Sequence, residues 1–221
     1  MKREVLKSDL EKLYTSNDMV KAGCGGCAGC HDCCCEMGES VILDPLDIHR
    51  ICAGLKTDFN SLLQSSVELN AVDGLILPNL KMAGEEERCA FLNGEGRCSI
   101  HPFRPGVCRL FPLGRYYTEG GFRYFLQQQE CPVQPKTKVK VSRWVDTPEL
   151  KKYEAYVLDW HNFQEEAQEL LRAQGDEQLA KDFNVHLLQT FYISPYTEGD
   201  FYGQFKQRML QIRRLMKILC R

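Results

Sequence analysis

Cysteine is the residue type in this sequence with the greatest capacity for chemistry. The chain has 12 cysteines among 221 residues, and six of them fall within positions 24–35. Three overlapping C-x2-C pairs are formed by Cys24, Cys27, Cys30 and Cys33. A C-x2-C turn directs two sulfurs at one ion, at ~2.3 Å for zinc, and the intervening glycines leave room for that turn. The pattern predicts an irregular loop around a metal ion or cluster.

A second set of cysteines follows within positions 89–131. Asn93-Gly94 is a strong signal for a tight turn between apolar segments, so we expect a hairpin with Cys89 in one arm and Cys98 in the other. Cys108 and Cys131 lie further along the chain. The spacing predicts that sulfurs from these two distant segments meet at one site. Cys52 and Cys220 stand apart from both segments. A lone cysteine in a helix, as we expect for Cys52, is most often a small core residue.

The kind of metal is left open by the spacing. The run Cys24-x2-Cys27-x2-Cys30-x3-Cys34 is typical of bacterial ferredoxins, although Cys35 stands where proline would follow and the Cys-Pro pair occurs instead at Cys131-Pro132. Zinc usually takes two cysteine pairs, and Cys89 with Cys98 could be the second pair. Adjacent cysteines in an extended segment point apart, so Cys33 and Cys34 favour two centres, or one cluster with spare thiols.

Three arginines, Arg88, Arg97 and Arg109, are each next to a cysteine. Cations offset the negative charge of a thiolate-bound centre and tune it, which gives these residues a possible role beside the metal. Equally, they can pair with the glutamates at positions 85–87 and 95. Both interpretations remain open at the level of the sequence.

Composition and charge narrow the class of protein. The formal charge of -2 gives no general attraction to nucleic acid or anionic membranes, and no apolar run approaches the ~20 residues of a spanning helix. The first residues lack the apolar stretch of a secretory signal. We therefore expect a reducing cytoplasm, where disulfides are rare. The segment 205–221 has six cations and no acids, typical of a solvated helix face or of a docking surface.

The remaining pattern predicts an α+β fold that is mainly helical. We expect a short amphipathic helix with Leu6, Leu10 and Leu13, and a helix capped by Asp44-Pro45 whose buried face includes Leu46, Ile48, Ile51 and Leu55. A second hairpin is expected over 115–126. A helix is expected to start at Asp146-Thr-Pro148-Glu149 and to run for about four turns, with an aromatic and apolar stripe at positions 150, 153, 157, 160 and 163, and two more helices are expected over about 176–192 and 201–219. We divide the chain into a lead-in, 1–23, a cysteine-cluster module, 24–135, and a helical region, 136–221, packed on it.

The ordered motifs resemble those of a known family, the zinc- or iron-chelating cysteine-cluster proteins of the YkgJ or CxxCxxCC type. The resemblance covers roughly positions 24–135 and rests on four strings: Cys27-Ala-Gly-Cys30-His-Asp-Cys33-Cys34, Val41-Ile-Leu-Asp-Pro-Leu-Asp47-Ile, Cys89-Ala-Phe-Leu, and Arg97-Cys98-Ser-Ile-His-Pro-Phe-Arg104-Pro105-Gly-Val-Cys108-Arg109-Leu-Phe-Pro112, closed by Cys131-Pro132.

The resemblance implies a metal centre and a pool of ligands for it. That pool comprises Cys27, Cys30, Cys33, Cys34, Cys89, Cys98, Cys108 and Cys131. His101 stands where related proteins often have tyrosine, and Cys24 and Cys35, which are secondary candidates for metal ligands, are additions to the family pattern. Some members of the family are flagellin lysine N-methylases that use S-adenosylmethionine and an iron-sulfur cluster.

We interpret the chain as a metal-binding protein carrying an iron-sulfur cluster, [4Fe-4S], with a redox, sensing or cosubstrate-positioning role. Two alternatives remain: an S-adenosylmethionine-dependent lysine N-methyltransferase that acts on a protein such as flagellin, and a zinc-stabilised interaction module. A protein substrate or a redox partner is expected, with neither nucleic acid nor membrane. The spacing identifies no catalytic set of residues and no separate site for S-adenosylmethionine.

Overall fold

A computed structural model describes residues 5–25, 30–197 and 199–219 of the chain. The described part is α+β with helix predominant, as the sequence predicts. The prediction of an amphipathic helix near the N-terminus is wrong, because the described residues there form only a short 3-10 helix, Lys7–Glu11. Leu6 and Leu13 are exposed, and the chain then becomes extended where Tyr14 exchanges two backbone hydrogen bonds with Tyr124.

The strands form four antiparallel pairs rather than one sheet. These pairs are β1 (Met19–Gly23) with β8 (Thr137–Lys140), β2 (Val67–Val72) with β3 (Leu75–Leu80), β4 (Met82–Ala83) with β5 (Arg88–Cys89), and β6 (Leu113–Thr118) with β7 (Gly121–Leu126). The pair β6–β7 is the expected second hairpin. The pair β1–β8 joins segments more than 110 residues apart, which the sequence did not predict.

Helix α1 (Pro45–Leu55) begins as its sequence predicts. The carboxylate of Asp44 accepts a hydrogen bond from the backbone N–H of Asp47 at 2.8 Å, and the carboxylate of Asp47 accepts one from the N–H of Asp44 at 3.2 Å, which is a capping box. Leu46, Ile48 and Ile51 are buried as expected. Leu55 is 41% exposed, contrary to expectation, because α1 ends there and the chain turns away through left-handed Lys56.

The other helices are α2 (Phe59–Ser65), α3 (Gly106–Leu110), α4 (Val141–Val145), α5 (Leu150–Gln174), α6 (Glu177–Leu188), which continues through a π turn (Gln189–Ile193), and α7 (Phe201–Leu219). The helical C-terminal third is therefore confirmed. Helix α5 is longer than its aromatic stripe suggested, because Ala167, Leu170 and Leu171 continue the buried face.

Aromatic side chains join these helices into one core. Trp160 and Phe163 of α5 pack on Phe191 of the π turn, with ring centroids 5.0 and 5.6 Å away, and Trp160 also packs on Phe205 of α7. The same core extends to the N-terminal half, because the Tyr192 hydroxyl donates to the carbonyl of Leu43 at 3.1 Å. Helix α1 and the β2–β3 hairpin are thus held against the C-terminal helices.

Two cationic side chains of the basic helix α7 form ion pairs or hydrogen bonds with other parts of the chain. Arg213 pairs with Asp159 at 2.8 Å and with Glu166 at 3.0 Å on α5. Arg208 donates to three carbonyl groups, those of Thr190, Ser194 and Pro195, each at 2.7 Å. In the part of the chain described above, no helix combines the length and the apolarity needed to cross a bilayer.

Candidate metal centre

Among the residues that the structure describes, six cysteines from three segments line one cavity of about 170 Å³. They are Cys30, Cys33 and Cys34 from the N-terminal run, Cys89 and Cys98 from the middle segment, and Cys108 from α3. The other walls are mainly apolar, with Val41, Leu80, Phe91, Ile100, Phe111 and Trp144. The structure therefore gathers most of the predicted ligand pool around a single space.

Short-range turns and one bridge position the N-terminal cysteines. Asp32–Cys34 forms a turn of 3-10 helix, in which the N–H of Cys34 donates to the carbonyl of His31 at 2.7 Å. The next residue, Cys35, forms an antiparallel bridge with Arg88, and the N–H of Glu36 donates to the carbonyl of Glu87 at 3.0 Å. This bridge places the cysteine run beside β5.

The expected hairpin between Cys89 and Cys98 is present only in part. Cys89 belongs to β5, which pairs with β4, and a single bridge links Leu92 to Cys98. Asn93 nevertheless closes a tight loop, because its side-chain oxygen accepts hydrogen bonds from the N–H groups of Glu95 at 3.1 Å and Arg97 at 2.8 Å. Both cysteines reach the cavity, as predicted, although by different strand pairing.

Helix α3 carries Cys108 and is fastened at both ends. At its start, the N–H of Gly106 donates to Oδ1 of Asp47 at 2.7 Å. At its end, the indole N–H of Trp144 donates to the carbonyls of Leu110 at 3.0 Å and Phe111 at 3.1 Å. These contacts tie α3 to α1 on one side and to α4 on the other.

Four of the cavity thiols lie close enough to influence one another. Burial raises the pKa of Cys89, Cys98 and Cys108, and the negative charge of neighbouring thiolates raises each further; Cys33 contributes to all three. The Arg104 guanidinium opposes this trend at Cys98. Burial also raises the pKa of Cys35, against the effect of Arg88. Without a metal, these groups are therefore protonated at neutral pH.

A second group of thiols involves Cys24 and Cys131. Both residues are 8% exposed, and Cys24 directly follows Gly23, which pairs with Thr137 of β8. Burial raises the pKa of Cys131, and the charges of Cys24 and Cys30 add to that effect. Cys30 also lines the cavity, so it stands between the two groups.

Residues 26–139 match the family model CxxCxxCC, described as "Putative zinc- or iron-chelating domain", which is just over half of the chain. The chain belongs to the CxxCxxCC family. No curated protein and no solved structure matches it. Family membership confirms the resemblance read from the cysteine strings and supports metal binding by this CxxCxxCC chain, with zinc or iron as the metal.

Cys131 is a member of the predicted ligand pool that does not line the cavity. Cys27 lies outside the described residues, and Cys35, whose backbone forms the bridge to Arg88, does not line the cavity. Cys52 is a partly buried residue of α1 away from the cavity, and burial raises its pKa to about 11. Within 5–25, 30–197 and 199–219, no three His, Cys, Asp or Glu side chains are arranged as ligands of one ion; the cysteines surround a space instead.

The arginines are divided between the cavity and nearby acids. Arg97 lines the cavity. Arg88 pairs with Glu86 at 3.7 Å, whereas Arg109 pairs with Asp146 at 3.8 Å rather than with a glutamate. Arg104 also lines the cavity and contacts the His101 ring.

Sequence reasoning missed three residues that shape the site: Arg104, Asp47 and Trp144. Arg104 and Asp47 are within the family strings, but their roles depend on contacts between distant segments. Trp144 lies outside those strings, and no local pattern indicates that its indole N–H holds the end of α3. Only the folded chain identifies them.

Proposed function

We propose that this chain carries an iron-sulfur cluster of the [4Fe-4S] type, held by cysteine thiolates at the cavity. The supporting observation is the cavity itself, about 170 Å³ in volume with six cysteines of three segments around it. A zinc site draws four ligands to ~2.3 Å of one point and leaves no space between them. A cluster occupies the space between its thiolates. A cavity ringed by more than four sulfurs therefore favours the cluster.

The mutual influence of their thiols makes Cys33, Cys89, Cys98 and Cys108 the proposed ligands of the cavity centre. The rest of the proposed pool is Cys27, Cys30, Cys34 and Cys131. A bound cluster supplies one-electron chemistry or a site for a ligand on iron. Around it, Arg97 and Arg104 offset the negative charge of the thiolates, and the apolar wall limits access of water.

The role that we propose is redox, sensing or cosubstrate positioning, with a redox partner or a protein substrate as the partner. We also infer a reducing compartment, the cytoplasm, because thiols that bind iron must stay reduced. The wall of aromatic and aliphatic side chains beside the sulfurs supports a centre shielded from oxidants.

Purification without oxygen tests the proposal. Iron, zinc and acid-labile sulfide are measured, and the visible spectrum is recorded before and after dithionite. We expect iron and sulfide in a one-to-one ratio and absorption that dithionite bleaches. Cys108→Ser should remove most of both signals, and Cys52→Ser, on α1 away from the cavity, should leave them unchanged. Zinc without sulfide would refute the cluster and favour the zinc-stabilised module.

The cosubstrate-positioning role has its own test on the same preparation. S-adenosylmethionine is added to the reduced, metal-loaded protein, and the visible spectrum and the melting temperature are recorded. A binding cosubstrate stabilises the folded state by mass action. Unchanged spectrum and melting temperature at saturating concentrations would leave the redox or sensing role.

A further inference from the structure

We propose that Asp47 is a positioning residue that sets the location of Cys108 at the metal centre. The inference rests on the proposed function, in which Cys108 is a ligand. Asp47 is 3% exposed although it is a carboxylate, and burying such a group is costly unless every oxygen finds a donor. The hydrogen bonds that Asp47 accepts connect two helices.

The two oxygens of Asp47 serve different helices. Oδ2 accepts from the N–H of Asp44 at 3.2 Å and completes the capping box of α1. Oδ1 accepts from the N–H of Gly106 at 2.7 Å, a buried bond that spans 59 positions of the chain. A capping box alone needs only the first bond. The second bond fastens the start of α3 to the start of α1.

Helix α3 cannot hold its own position. It has five residues, far fewer than the ~12 at which an isolated helix is even marginal in water. Cys108 lies two residues after Gly106, so a shift at the start of α3 moves the sulfur directly. The opposite end of α3 is held by Trp144, which leaves Asp47 as the described side chain that hydrogen-bonds the first turn.

Close packing makes the contact at Gly106 specific. A Cβ atom at this position would overlap the hydroxyl of Tyr153 and come within 3.6 Å of Oδ1 of Asp47. Tyr153 is 2% exposed and accepts a hydrogen bond from Arg115 at 2.9 Å, so it cannot move aside freely. The backbone at Gly106 is therefore confined by Tyr153, in the position where its N–H donates to Asp47.

The test compares three variants of the full chain, purified without oxygen: Asp47→Ala, Asp47→Asn and, as the matched control, Asp44→Ala. The control removes the other half of the capping box but keeps the bond to Gly106. Iron content, the rate of iron loss to a chelator and the urea midpoint of the metal-free protein are measured. Partners that orient a metal ligand are worth 10–100-fold in affinity, so we expect Asp47→Ala to lose iron at least about 10-fold faster.

The other two variants separate positioning from stability. Asp47→Asn keeps an oxygen for Gly106 and should stay within about threefold of the wild-type rate, which is rescue by the conservative change. Asp44→Ala should lower the urea midpoint, because an N-cap is lost, but its rate of iron loss should also stay within about threefold of the wild-type rate. The inference is overturned if Asp44→Ala and Asp47→Ala speed the loss of iron equally, or if Asp47→Ala does not speed it.

One measurement on the wild type covers the case in which Asp47→Ala does not fold. Hydrogen exchange at the Gly106 amide of the metal-loaded protein should be slowed, since that N–H donates to Asp47; an amide that exchanges like an exposed one overturns the inference. A wild-type chain purified without metal overturns the proposed function itself. Metal-loaded wild type with unaffected Asp47→Ala overturns only the positioning role.

Discussion

Metal binding by the metal-free protein should release protons and become tighter as the pH rises. Burial, with neighbouring thiolates, raises the pKa of Cys89, Cys98 and Cys108 above the ordinary value of ~8.5. These residues are thiols at pH 7, whereas a metal binds thiolates. Because the pKa shifts are upward, the proton must be removed throughout the neutral range, and affinity falls as the solution is acidified.

The size of the effect follows from the number of thiols involved. Each ligand that loses a proton on binding changes the affinity tenfold per pH unit, which is ~1.4 kcal/mol. The three buried thiols together predict a slope of at least three, or roughly a thousandfold per pH unit, between about pH 6.5 and 8.5, and a fourth ligand thiol that also releases its proton steepens it further. Arg104 opposes the shift at Cys98, so its contribution should fade first at the alkaline end. Thiols that were already ionised would give a slope near zero.

Competition between the metal-free protein and a chelator of known pH dependence measures the slope with Zn²⁺ as the probe. Calorimetry in buffers of different ionisation enthalpy counts the released protons independently. Cys52→Ser is the control, because Cys52 also has a raised pKa but lies away from the cavity. An affinity that changes less than tenfold per pH unit would contradict the inferred protonation of the buried thiols.

Three further outcomes follow from the described contacts. Arg208→Ala should lower the free energy of unfolding in urea by about 2–4 kcal/mol, because three hydrogen bonds from a charged group are lost. Arg208→Lys should recover only part of that free energy. A loss below ~0.5 kcal/mol in Arg208→Ala would contradict the expected role of these hydrogen bonds. Arg213→Ala should cost ~1 kcal/mol or less in the same assay, since its ion pairs are partly exposed. The double change Cys24→Ser with Cys131→Ser should keep the dithionite-bleached absorption of the cavity centre, whereas Cys98→Ser should lose it. Equal loss in the two variants would contradict the division into two thiol groups.

The elements that the sequence predicts correctly carry their signals locally. Asp44 and Pro45 mark the start of α1 through a cap and a fixed backbone angle. The hairpin β6–β7 turns at Gly120, which has a positive φ. The helices α5 to α7 follow from apolar periodicity alone. In each case the residues that decide the structure lie within one or two turns of one another.

The parts that could not be predicted depend on contacts between distant segments. Nothing near Gly23 indicates that β8 is its partner, and that pairing is what brings Cys24 toward Cys131. Cys89 pairs with Met82 of β4, whereas the arm of Cys98 pairs with the residues after Cys89, from Phe91 to Asn93. The family resemblance therefore names a candidate ligand pool but does not indicate how the sulfurs divide between two groups.

The hydrophobic core of this chain bears on whether the metal is needed for folding. Zinc modules that depend on metal to fold lack a core of their own, but here one hydrophobic core joins α1, the β2–β3 hairpin and the C-terminal helices. Contacts such as that of Tyr192 with Leu43 tie the N-terminal half to it without any cysteine. The core therefore supports the short segments that bear the sulfurs, and Asp47 and Trp144 connect it to α3. Under the proposed function, the core holds the centre in place, and we expect the metal-free protein to retain the contacts of this core.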